Sequence, residues 1–152
     1  MLHFKRAPLG LILSAAISCA PIARPVSRDL AATLTRGGGI TGMSETVLLS
    51  SAAGRGEGSW QRSDRPQPSR IRLSNDEIFK TLRSLDSTAV ALPPSPPPDD
   101  RHCADYILMR LEVRSGSAVH VAQEECPHRT DALETYWRRL HQTFDELVRA
   151  AQ

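Results

Sequence analysis

The chain has 152 residues, enough for one domain with appendages. Only 5% of its residues are aromatic against 40% hydrophobic, so any core is aliphatic and modest. A net charge of +2, with no Lys/Arg cluster interleaved with aromatics, argues against nucleic acid as a partner. No apolar run reaches the ~20 residues of a membrane-spanning helix.

Residues 1–18 read as an export signal, with Lys5 and Arg6 as the positive n-region and residues 9–17 as the short apolar stretch. The segment ends Ala16-Ile17-Ser18-Cys19, which resembles a bacterial lipobox with Cys19 as the lipidated residue. The other reading is ordinary signal-peptidase cleavage after Ser18, which leaves a soluble periplasmic or secreted protein. Cysteine arithmetic favours the lipid. Three cysteines are odd for an exported chain. If Cys19 carries lipid, Cys103 and Cys126 remain as a pair in an oxidising compartment. That bridge closes about 24 residues, for roughly 3 kcal/mol in the chain-entropy model. The expected location is the cell envelope, anchored through lipid. Ala20 in place of Asp after the cysteine favours the outer membrane. Residues 19–29 then form a tether with two prolines, and residues 30–152 form a single domain.

Alternation predicts a first strand over Ala31–Arg36 and a second over Met43–Ser50, in which Glu45 falls on the apolar side and Leu48 on the polar side. Gly37-Gly38-Gly39 interrupts between them. Gly54, Gly56 and Gly58 read as a turn, Ser59–Arg62 as a short third strand, and Ser63–Arg70 as loop. Trp60 can be core or an exposed binding aromatic. Ser74 and Glu77 make a capping box, and Leu73 and Ile78 stand at the positions of a hydrophobic staple. Ile78, Leu82 and Leu85 line one face of that helix, which should fade near Asp86. Residues 92–101 are a Pro-rich internal loop, extended because proline lacks the donor.

Ile107, Met109, Leu111 and Val113 alternate as a strand, and Val119 and Val121 as its return. A three-residue loop, Arg114-Ser115-Gly116, would set Leu111 opposite Val119 and Met109 opposite Val121. This register also brings Cys103 and Cys126 to neighbouring positions, one step out of alignment, so that a bulge or irregular strand end is needed to face them. It leaves His120 on the solvent face beside Arg110. Thr130 caps a last helix of about 20 residues. Its stripe Leu133, Trp137, Leu140, Phe144, Leu147 and Val148 is the largest apolar surface in the chain, with Tyr136 flanking. The order β-β-β-α-β-β-α gives an α+β domain: a mainly antiparallel sheet of about five strands with two helices packed on it.

No enzyme motif is present: no GxSxG, HExxH or P-loop. His102, Cys103, Cys126 and His128 form a ligand set that zinc accepts. However, His102 and Cys103 are adjacent in an extended segment and point to opposite faces. The disulfide is therefore the preferred reading, and no metal or cofactor is expected. Asp99-Asp100 and Glu124-Glu125 read as solvated loop charge.

Arg36-Gly37-Gly38-Gly39-Ile40-Thr41-Gly42 resembles the glycine-rich opening of the emfourin-like family. In those small bacterial proteins the motif runs roughly Ser-Gly-Gly-Phe-Ala-Gly into a strand. Here Arg36 stands for the Ser and Ile40-Thr41 for Phe-Ala. The downstream order of capped helix, hairpin and closing helix is similar too. The resemblance implies an α+β fold and inhibition of thermolysin-type metalloproteases. It makes Gly37, Gly38, Gly39, Ile40, Thr41, Gly42 and Met43 the expected partner-binding stretch. Two expectations follow: an exported protein-binding module that blocks a secreted or periplasmic protease, or an envelope lipoprotein with a scaffolding role and no inhibition.

Overall fold

The computed structural model describes residues 29–39, 42–93, 107–124 and 130–152. Strands β1 (Leu30–Gly38), β2 (Ser44–Ala52), β3 (Arg55–Arg62), β4 (Ser69–Arg70), β5 (Ile107–Ser115) and β6 (Ala118–Gln123) form one antiparallel sheet. Their order across it is β4-β3-β2-β1-β5-β6. Helices α1 (Asn75–Val90) and α2 (Asp131–Arg149) cover one face. The fold is thus α+β with a six-stranded sheet; the strand beyond the expected five is the two-residue β4.

The covered face follows from the period of two along each strand. Ala32 and Leu34 of β1, Val47 and Leu49 of β2, Met109, Leu111 and Val113 of β5 are buried against the helices. The opposite face carries Thr33, Thr35, Leu48, Arg110, Glu112 and Val121 in register across the strands. Alternation also explains the two residues that break the pattern in β2. Glu45 lies on the covered side, where it meets Arg36, and Leu48 is exposed on the other.

Helix α1 starts as its sequence directs. The Ser74 side chain accepts from the Glu77 N–H, and the Glu77 carboxylate accepts from the Ser74 N–H at 2.8 Å. The helix does not fade at Asp86. It runs to Val90 because Ala89 is buried as well, and no breaker occurs before Pro93. Helix α2 opens with Leu133 N–H donating to the Thr130 hydroxyl, and buries the expected stripe. Tyr136 is buried too, edge-on to Trp137 with ring centroids 4.9 Å apart. A bond from Arg72 N–H to the Ala150 carbonyl ties the end of α2 to the segment before α1.

Two further expectations are corrected. Gly56 and Gly58 are not turn residues but lie inside β3, on the covered face. A Cβ on Gly56 would come within 2.9 Å of Ile78, and one on Gly58 within 2.9 Å of Leu49. The glycines make room for a helix and for Ile71 at close range. Only Gly54, at φ 78, forms the turn, beside Ala53 at φ 49. Trp60, at the end of the same strand, is core, at 3% exposure.

The β5–β6 register also differs. The turn uses two residues, Gly116 and Ser117, with Gly116 at φ 59 in the first position. Leu111 therefore faces Ala122, and Val113 faces His120. An odd shift sends every side chain of the return strand to the other face. Val119 and Val121 are exposed, at 53% and 49%, whereas Ala122 is buried and His120 lies half-buried on the helix side.

Candidate functional site

The glycine stretch lies where β1 passes to β2, at one end of the sheet. Gly38 has φ 110, Gly39 φ 70 and Gly42 φ 58, values that side chains rarely adopt. Gly42 N–H reaches back to the Gly39 carbonyl at 3.3 Å. Met43 follows at 42% exposure, just before β2. On the neighbouring strand Ile107 pairs with Gly38 and is 52% exposed. With Arg36, Gly38, Glu45 and Arg62 these two apolar side chains border a concavity of about 330 Å³.

Arg36 organises the charges here. Its guanidinium contacts Glu45 Oε2 at 2.7 Å and Asp145 Oδ1 at 2.6 Å, and stacks over the Phe144 ring at 4.3 Å. One side chain thereby links β1, β2 and α2. Burial works against its charge, but the hydrogen bonds and charges of Glu45 and Asp145 outweigh it and raise its pKa. Arg62 contacts Asp64 at 3.0 Å and the Met43 sulfur at 3.4 Å. The rim thus combines two exposed apolar residues with two arginines held in place by carboxylates. This composition suits a protein surface: apolar anchors within a charged border.

Of the expected contact residues, Gly37, Gly38, Gly39, Gly42 and Met43 gather at this end; Ile40 and Thr41 lie outside the described residues, as do Cys19, Cys103 and Cys126. His102 and His128 of the metal reading also lie outside them; among the described residues no group of three or more His, Cys, Asp or Glu is placed to hold a metal. Arg36, Glu45, Arg62 and Ile107 join the site beyond the expected stretch. Glu45 on the apolar side of its strand was the available signal, since a carboxylate there needs a cation beside it.

Glu124 corrects the reading of Glu124-Glu125 as loop charge. It is 2% exposed. Its N–H donates to the Met109 carbonyl, its Oε2 accepts from Met109 N–H at 2.8 Å, and His141 Nε2 of α2 is 2.9 Å from the same oxygen. The side chain replaces the last rung of the β5–β6 ladder and fixes that register. A larger groove of about 1080 Å³ runs between α1 and α2. On its wall the Tyr136 hydroxyl is buried, which raises its pKa to about 12.

No protein-family model, no curated protein and no solved structure matches the chain.

Proposed function

We propose that this chain is an exported protein-binding module that contacts its partner through the glycine end of the sheet, and that the partner is a thermolysin-type metalloprotease which it inhibits. The observation that carries the reading is the pairing of exposed Met43 and Ile107 around a concave rim beside three positive-φ glycines. Two exposed apolar side chains that share one concavity offer a partner an anchor. Glycines there let another backbone come close. The likeness of residues 36–42 to the emfourin-like opening supplies the partner class. In this reading Cys19 carries lipid and Cys103 bonds to Cys126. Both rest on the export signal and the cysteine count, and the register expected to bring the two cysteines together is not the one observed.

Titration of a thermolysin-type metalloprotease with the purified chain tests the proposal. Peptide hydrolysis should fall with added parent protein and recover with Met43→Glu. No inhibition by a correctly folded parent leaves the envelope scaffolding role in its place. Lipid attachment is checked separately, by fatty-acid labelling that disappears in Cys19→Ser.

A further inference from the structure

The two edges of the sheet are built differently. Strand β4 is only two residues long, and Pro66 and Pro68 precede it. Such short, proline-guarded edges resist pairing with another chain. Strand β6 has six residues, Ala118-Val119-His120-Val121-Ala122-Gln123, with no proline and no Lys, Arg, Asp or Glu. Among the described residues no strand pairs with its outer side.

The register identifies which backbone groups that side presents. Glu124 N–H bonds to the Met109 carbonyl, so the even-numbered residues of β6 point their N–H and C=O toward β5. Val119, Val121 and Gln123 point theirs outward. Their side chains meanwhile stand on the face without helices, where Val119 and Val121 are half-exposed.

The sequence Ala-Val-His-Val-Ala reads the same in both directions about His120. An antiparallel copy related by a two-fold axis at His120 therefore meets like with like. Val119 falls opposite Val121 of the second copy, and Val121 opposite its Val119. Both are hydrogen-bonded pairs, made from the groups that β6 leaves outward. Ala118 meets Ala122, and His120 meets its own counterpart in a non-bonded pair. On the bare face the four valines form one apolar patch, with no charged pair at the join.

We propose that β6 is a self-pairing edge, and that two copies of this chain associate antiparallel about His120 to continue the sheet across the dimer. The occupant is a second copy and not an unrelated peptide, because the palindrome satisfies both strands at once. The contact is a single pair of six-residue strands, so the dimer is expected to be weak and concentration-dependent.

Sedimentation velocity of the full chain over a concentration series reads this directly. The parent should shift from monomer to dimer in the micromolar range or above. Val119→Glu/Val121→Glu puts glutamates opposite one another and should weaken association by roughly tenfold or more. Val119→Lys/Val121→Glu sets the new lysine of each copy opposite the new glutamate of the other and should restore it. Val121→Pro removes only an outward N–H, so the dimer should be lost while the melting temperature holds. A parent that stays monomeric throughout overturns the proposal. So does a double-glutamate variant that dimerises like the parent, or a Lys/Glu variant no better than the double glutamate.

Discussion

The middle of the sheet and its glycine end are built from the same strands and use their residues in opposite ways. In the middle, β1, β2 and β5 place Leu34, Val47 and Leu111 at essentially zero exposure beneath two helices. At the glycine end, Gly38 closes β1, Ile107 opens β5 and Met43 stands just before β2, all three near solvent. Arg36 stands between the two regions, its guanidinium over Phe144 on one side and bordering the concavity on the other. Met43 and Ile107 are exposed, so changing them should cost the sheet little stability. A contact surface requires that tolerance of its apolar anchors.

The middle is where a substitution should cost most. Phe144→Ala removes a fully buried ring and the surface on which Arg36 stacks. Denaturant unfolding should show a loss of about 3–5 kcal/mol. A loss below ~1 kcal/mol would erase the contrast, since the middle would then be as tolerant as the rim.

Gly58→Ala acts by overpacking. Its Cβ would lie 2.9 Å from Leu49 Cδ2 and 3.1 Å from Ile71 Cβ. A cost of about 1–3 kcal/mol is expected in thermal or denaturant unfolding. A stabilising alanine here would mean that the glycine serves nothing in the fold.

The cap of α1 gives a smaller, pH-dependent effect. Ser74→Ala should cost about 1 kcal/mol at neutral pH, measured by denaturant unfolding. Hydrogen bonds from the Ser74 hydroxyl and then the Ser74 backbone hold the Glu77 pKa below its ordinary value. Its folded-state pKa is therefore the lower one. The contribution of Glu77 is present above the unfolded glutamate pKa and is lost as pH falls through the folded one. Glu77→Gln should flatten the decline in stability over that acidic window and leave the slope near neutrality unchanged.

Much of the middle can be read from the sequence and less of the rest, for identifiable reasons. The apolar stripe from Leu133 to Val148 and the Ser74–Glu77 capping box are local patterns, and local patterns act within a turn or two of helix. The β6 register is ambiguous in the sequence because Arg114 to Ser117 allows a two- or three-residue loop. The choice is fixed by Glu124, whose carboxylate closes the ladder at Met109 from fifteen residues away in sequence. Gly56 and Gly58 look like turn residues because the packing that needs them comes from Ile78 and Ile71. At the site, the glycine motif marks the place. Its charged border is hidden because Arg36 meets Asp145 across 109 residues.

If the glycine end is a contact surface, a matched pair of variants will separate it from the rest of the exterior. Met43 at the rim and Leu48 on the bare face are similarly exposed, at 42% and 49%. Each is changed to Glu, and binding to a thermolysin-type metalloprotease is measured by calorimetry beside the melting temperature. Both variants should melt like the parent. Leu48→Glu should bind like the parent, whereas Met43→Glu should weaken binding by roughly tenfold or more. Met43→Glu binding as tightly as the parent, or Leu48→Glu being the variant that fails, would show that the glycine end is not the contact.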